Sequence, residues 1–454
     1  MKFLQDIFEK QKPHFEKGGK WEKFYYIFEA HFTLLFAPKD VTSKKGVQIR
    51  DAVDMKRMMM TVIIALLPTL IFGIWNVGHQ HFLATGQEAA TLLDKFAIGA
   101  YAVLPIVIVS YVTGLGIEFT FATIRRHPVN EGFLVSGMLI PLIMPATIPL
   151  WQVALATAFA VIIGKEVFGG TGMNILNVAL TARAFLYFAY PGDISGDNVW
   201  TYFGDSLIGM SEPVQAFSGA TPLAMAAADG ISSFSNFWLS DAYTFQNMFL
   251  GVIPGSIGET STLMALIGAL ILITTGVGSW RIILSVFGGA FLMGYLFNFI
   301  YDINYTGQLG TGVKIAFLLG TIILFIINQK FIKGELKAVI GVLAGMLIFT
   351  AVMLFSGAAS EFMKVPAQFH LVMGGLAFGA VYMATDPVTA SHTFQGKWIY
   401  GIMIGALTVL IRVFNPAYPE GIMLAILLMN VFAPLIDIYV VKANKKRRLS
   451  RATV

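Results

Sequence analysis

About twelve stretches of this chain are apolar over roughly the length needed to cross a lipid bilayer, and no other feature constrains the fold as strongly. They lie at roughly residues 58–78, 97–124, 132–150, 151–167, 175–190, 262–279, 282–300, 314–329, 336–355, 367–385, 398–413 and 420–441. Within hydrocarbon every backbone N–H and C=O must be bonded inside the protein, so a spanning segment needs about 20 predominantly apolar residues in a helix. Charged residues are only 13% of the 454 and hydrophobic ones 56%, whereas soluble domains carry about 25% charge. The sequence therefore predicts an all-α, polytopic membrane protein and excludes a soluble globular domain or a disordered chain. There is no cysteine, which removes thiolate nucleophiles, disulfides and cysteine-held iron–sulfur or zinc sites. Redox chemistry, if present, must reside in an organic cofactor.

Basic residues set the expected orientation, since Lys and Arg are retained on the cytoplasmic side. Arg125, Arg126, Lys165, Arg281, Lys330, Lys333, Lys337 and Lys397 all fall inside if both termini are cytoplasmic. Between Arg183 and Arg281 there is no Lys or Arg, but there are Asp193, Asp197, Asp205, Glu212, Asp229, Asp241 and Glu259. The expected organisation is a cytoplasmic extension (1–57) with an amphipathic helix around 21–36, a first membrane half (58–190), an outside loop (191–261), a second membrane half (262–441) and a basic cytoplasmic tail (442–454). The extension is too charged for a cleavable signal peptide. The net charge of +5 sits at the chain ends, which suits anionic membrane lipid rather than nucleic acid. An odd number of spans before the loop makes the halves candidates for inverted-topology repeats, with ligand sites at their interface. Pro141, Pro145 and the run Gly169-Gly170-Thr171-Gly172 interrupt the pattern where a broken helix would line a cavity.

Several residues carry candidate chemistry. Ser218-Gly219-Ala220-Thr221 lies in the outside loop, before Pro222. A hydroxyl among small residues is open to a modifying enzyme, and a phosphoester there would fix a flavin mononucleotide (FMN) to the chain; for an isolated tetrapeptide a plain small-residue turn is much the commoner reading. Glu118, Asp386 and Glu420 lie near apolar runs, and Glu29 in the extension. Acids at membrane depth are functional candidates and hard oxygen ligands for a small cation, although Asp386 before Pro387 also suits a helix cap. Arg183 and Arg412 sit in apolar runs, either paired with acids or a phosphate, or snorkelling to the interface. The histidines, such as His370, show no metal-ligand spacing.

Taken together, FEKGGK at 15–20, VDMKR at 53–57, HPVNEGF at 127–133, KEVFGGTGMNILN at 165–177, residues 182–191, PGSIGETS at 254–261, ATDPV at 384–388 and RVFNPAYPEGIM at 412–423 resemble the NqrB family, the B subunits of sodium-translocating NADH:quinone reductases, over nearly the whole chain. The resemblance implies covalent FMN on the last threonine of the tetrapeptide, Thr221, installed by a flavin transferase. It also implies non-covalent riboflavin, a bacterial inner-membrane location, five partner subunits (A, C, D, E and F), and electron transfer toward quinone coupled to Na+ export. Two features depart from the family pattern: Gln215 replaces a usual aspartate six residues before the acceptor, and residues 304–365 are an insertion relative to ten spans, expected as a two-helix hairpin beside a core of two inverted repeats.

The resemblance also points to Asn174 and Asn177 for riboflavin. Three residues apart, they would share a face of a helix and could bond the polar edge of an isoalloxazine, the alternative being helix caps. It assigns acids matching Glu29, Glu118 and Asp386 to sodium passage, and the stretch with Gly114 and Gly116 to quinone, although small residues equally serve close helix packing. The rivals are the RnfD protein of the related RNF complex and a non-redox transporter with a urea-channel-like arrangement. The long N-terminal extension with FEKGGK favours the quinone reductase over the first, and a flavin acceptor in an outside loop argues against the second.

Overall fold

The computed structural model describes residues 2–36, 55–87, 89–129, 132–204, 219–229, 243–306, 310–332, 335–357, 360–415 and 420–452, and all regular structure among them is helical. Two helices, α1 (Lys2–Phe15) and α2 (Tyr25–Leu35), precede the membrane region. The first half contains α3 (Met55–Ala84), α4 (Leu92–Arg125), α5 (Phe133–Leu142), α6 (Leu150–Gly164) and α7 (Val178–Ala189). After a short helix, α8 (Pro222–Asp229), come α9 (Thr262–Thr274), α10 (Trp280–Thr306), α11 (Thr311–Phe331), α12 (Glu335–Ser356), α13 (Phe394–Phe414) and α14 (Ile422–Ala452). Among the described residues, eight helices are long and apolar enough to cross a bilayer. The chain is a polytopic membrane protein.

Side-chain caps start several of these helices. Thr91 and Asp94 form a reciprocal capping box at α4, while Asn177, Ser261 and Thr393 accept amides at the first turns of α7, α9 and α13. Buried apolar side chains form two large clusters, one spanning α3 to α7 with α9 and α14, the other around α8, α10, α12 and α13. In the segment 304–365, α12 packs on α10 and α13, while α11 packs on α12 and exposes Ile315, Leu319, Ile323 and Ile326, as a lipid-facing helix does.

Four of the apolar runs are not full-length spanning helices. The run 132–150 is helical only to Leu142, because Pro141 and Pro145 remove amide donors. The carbonyls freed beyond that point are bonded by another segment: the Leu142 oxygen accepts from Gly258 N–H at 2.7 Å and the Met144 oxygen from Ile257 N–H at 3.1 Å. A Cβ at Gly258 would lie 2.7 Å from the Leu142 side chain, so this approach requires glycine. The runs 175–190 and 262–279 give the short helices α7 and α9. The run 367–385 is broken into two turns, Phe369–Val372 and Leu376–Phe378, and one π-helical turn, Gly379–Met383. Arg412 completes this break from inside: its guanidinium donates to the carbonyls of His370 at 2.7 Å and Met373 at 2.8 Å. These are bonds a continuous helix would have made to itself, and they explain why an arginine stands in the apolar run of α13.

Candidate functional site

Two cavities lie on either side of α7. Asn177 caps the start of this helix and lines one cavity; Arg183, six residues later and so about 9 Å along the axis, lies just behind the floor of the other.

The first cavity has a volume of about 410 Å³ and is walled by Asp197, Trp200, Thr221, Leu223, Gly374 and Gly375, with Glu259 and Glu420 also exposed to it. Thr221 precedes α8, and its hydroxyl oxygen accepts from Ala224 N–H at 3.2 Å. The hydroxyl therefore sits at a helix N-terminus, where unpaired amides and the helix dipole favour an anion. Ala220 is buried and its carbonyl accepts from the Tyr243 hydroxyl. Burial, with a smaller contribution from the charge of Asp197, pushes the Tyr243 pKa up, so this hydroxyl stays a donor. Gly219 is required sterically, since a Cβ there would sit 2.5 Å from the Asp197 carbonyl oxygen. Ser218 and Gln215 lie outside the described residues.

The floor of this cavity is an ion cluster. Arg183 donates to Glu259 at 2.6 Å and to Glu420 at 2.7 Å, with side-chain exposures of 2%, 5% and 14%. Its second amino group also reaches Ser256 Oγ at 3.3 Å. Neither Arg183 nor Arg412 snorkels; both are buried. Sequence reasoning names Glu420 only as one of several acids near apolar runs and gives Glu259 no role at all. The signal that points to the pair is Arg183 itself, since a cation in an apolar run needs a counter-charge.

The second cavity, about 100 Å³, is bounded by Lys165, Asn174, Asn177, Tyr382, Thr385 and Asp386. Asp386 follows the π-helical turn. Its carboxylate accepts from Val388 N–H and Thr389 Oγ1, both at 3.0 Å, and from Asn177 Nδ2 at 3.4 Å. No helix starts at Asp386, so the expected helix cap is not formed; the carboxylate instead closes the turn that follows Pro387 and faces a polar cavity. Asn177 accepts the Leu180 amide at 3.1 Å, which is the capping geometry. Asn174 is in the turn before the helix and donates to the Leu176 carbonyl at 3.0 Å, so the two asparagines do not share a helical face as their spacing suggests. The glycine-rich turn, with positive φ at Gly169, Gly170 and Gly172, is what keeps Asn174 out of α7.

Glu118, buried in α4, is ion-paired with Lys165, and Arg125 next to it binds Glu166 at 3.0 Å. Through Lys165, Glu118 borders the same small cavity as Asp386. Gly114 faces inward, and a side chain there would collide with the Phe133 ring; Gly116 faces open space. The two glycines therefore point to different surroundings, and the packing role belongs to Gly114. Glu29 is on α2, which packs against α4, and lines neither of the two cavities flanking α7.

The family model described as "NQR2, RnfD, RnfE family" matches residues 42–307 and 298–446. Among curated proteins the chain is 42% identical over 468 residues to the B subunit of the Na(+)-translocating NADH-quinone reductase of Chromohalobacter salexigens, covering 99% of this chain and 96% of that protein. It is 42% identical over 470 residues to the protein of the same name from Stutzerimonas stutzeri, with 99% of each chain covered. The corresponding Pseudomonas aeruginosa protein is 41% identical, again over 99% of both chains.

Proposed function

The chain belongs to the NQR2, RnfD, RnfE family and is the membrane-embedded B subunit of a multisubunit Na+-translocating NADH-quinone reductase, and from that premise we propose that it carries FMN on Thr221 and passes electrons toward quinone while sodium crosses the membrane. The observation that supports this most directly is the position of the Thr221 hydroxyl, at the wall of a 410 Å³ cavity and the N-terminus of α8. Ligand pockets run from about 300 to 1,000 Å³, so the space suits a flavin. An ester-linked phosphate would lie against the first amides of α8, and Trp200 adds an aromatic side chain to the lining against which a ring could pack. Bound there, the flavin supplies reversible electron acceptance; the chain fixes its phosphate, shields one side and sets the charge around it. Mass spectrometry of the peptide containing Thr221 from the native complex tests the reading: it should carry the mass of FMN less water, and a bare threonine in cells with an active flavin transferase would end it.

The second cavity does not fit riboflavin as an enclosed ligand, because 100 Å³ is well below the space a three-ring system needs. Asn174, flanked by exposed Met173 and Ile175, is where a flavin walled on its other side by a neighbouring protein of the complex would meet this chain. An Asn174→Leu complex should then lose extractable non-covalent flavin while its covalent flavin stays constant; full retention would remove Asn174 from the site.

The small cavity suits a dehydrated cation better. Asp386 supplies a carboxylate and Thr385 a hydroxyl oxygen, the kind of ligand hard cations take, while Asn177 steadies the carboxylate by donating to it through its amide nitrogen. Coupling then requires that sodium bind one redox or conformational state more tightly than another. Asp386→Ala should raise the sodium concentration for half-maximal stimulation of quinone reduction by about tenfold or more, the effect of losing a charged ligand, with both flavins retained. Unchanged sodium dependence would take Asp386 out of the pathway.

The remaining architecture belongs to the same proposal: a ten-span core of two inverted halves in the inner membrane, α11 and α12 as an added hairpin, both termini cytoplasmic, the Thr221 loop outside, and the other five subunits as partners. Each half would have a broken third segment, residues 132–150 in one and 367–385 in the other, which is the arrangement expected of inverted repeats around a midplane site. Of the two rivals, the RnfD protein is disfavoured by full-length similarity to quinone-reductase B subunits that includes the N-terminal extension.

A further inference from the structure

The floor of the Thr221 cavity contains more charge than the attachment of a cofactor needs. Arg183 binds Glu259 and Glu420 together. Arg412 is held close behind the cavity wall, 3.6 Å from where a Cβ on Gly374 would stand, and is near enough to interact electrostatically with Glu420. Two cations and two carboxylates balance in number but not in position: Glu259 and Glu420 line the cavity, and neither arginine does. Gly375 lets Glu259 come forward, since any side chain there would occupy the space of its carboxylate. The cavity thus presents a negative floor with its compensating charge set one layer back.

We propose that Glu259 and Glu420 hold down the reduction potential of the group attached at Thr221, with Arg183 limiting the effect. The proposal rests on the reading of Thr221 as the FMN acceptor. Reduction adds an electron to the cavity, and a carboxylate across it disfavours that addition. A cavity of this volume is about 9 Å across if taken as a sphere, and at an effective dielectric of about 20 one unit charge at that range changes an equilibrium by at least about tenfold. For a one-electron step a tenfold change corresponds to about 59 mV. A lowered potential makes the bound group a better donor, in the direction that electron delivery toward quinone requires. The cluster also ties α7, the 254–261 segment, α13 and Glu420, two residues before α14, together, so the test must separate charge from structure.

The experiment is a spectroelectrochemical titration of the whole purified complex, with the Thr221→Val complex subtracted to isolate the covalent flavin. Glu259→Gln and Glu420→Gln should each raise the reduced-to-oxidised ratio at fixed ambient potential by about tenfold, or about 59 mV for one electron. Glu420→Gln keeps shape and polarity at the more exposed position, so it serves even where Glu259→Gln fails to assemble. The double variant Arg183→Gln with Glu259→Gln removes one charge of each sign and should return the ratio to within about threefold of wild type. A purely structural role predicts the opposite order, with the double variant furthest from wild type. Unchanged potentials with the covalent fluorescence intact would overturn the proposal alone; absence of covalent fluorescence from the wild type would overturn both it and the Thr221 reading.

Discussion

A complex carrying Thr221→Val should show this chain as a dark band on a denaturing gel under ultraviolet light, where the wild-type band fluoresces. Valine matches threonine in shape and removes only the hydroxyl, so the effect on covalent flavin is complete loss. The structural cost is small: the hydroxyl accepts one amide, Ala224 N–H at the start of α8, and loss of such a cap costs about 1 kcal/mol. The variant should therefore assemble at near-normal abundance, which distinguishes lost attachment from lost protein. Thr221→Ser keeps the acceptor oxygen and should retain fluorescence. A bright Thr221→Val band would show that the flavin is attached elsewhere, and the assignment of the cavity would fall with it.

Arg183→Leu should destabilise the protein by about 3–5 kcal/mol, the range for removing one partner of a buried ion pair. The substitution leaves Glu259 and Glu420 facing each other with no cation between them on the floor of the cavity. Leucine fills most of the space, so uncompensated charge rather than a void dominates the loss. The measurement is thermal unfolding of the solubilised complex, together with the amount of this chain found in the membrane. Adding Glu259→Gln to Arg183→Leu removes one of the two stranded charges and should recover a substantial part of the loss. An Arg183→Leu complex as stable as wild type would mean that the cluster carries little of the fold.

The membrane character of the chain is legible in its sequence because apolar length is a local property: the runs at 58–78, 97–124 and 398–413 correspond to α3, α4 and α13. The breaks are less so. Pro141 announces the end of α5, but nothing local in 367–385 shows that its carbonyls are bonded by Arg412, which lies about 40 residues on and needs the tertiary fold to arrive. The same limit applies to the sites. Thr221 is a short-range feature, a hydroxyl among small residues before a proline, but alone it reads as a plain turn, and only the family resemblance marks it as an acceptor. The Glu259, Arg183 and Glu420 cluster joins three distant segments, and each member alone looks like an acid or a base at a membrane edge. Asn174 and Asn177 mislead for a related reason: their spacing is helical, but Gly169, Gly170 and Gly172 delay the start of α7 until after Asn177.

The stretch 254–261 has two attachments of different kinds. Its backbone is clipped to the end of α5 by the Gly258 and Ile257 amides, and its side chains Ser256 and Glu259 grip Arg183. The Gly258 clip holds only with glycine, since any side chain there would meet Leu142, whereas the Ile257 amide is lost only to proline. The end of α5 beyond the Pro141 kink and the carboxylate under Thr221 are therefore joined through backbone bonds rather than through a chain of adjustable side chains. The stretch is thus a direct main-chain link between a bent helix and the ion cluster beneath Thr221.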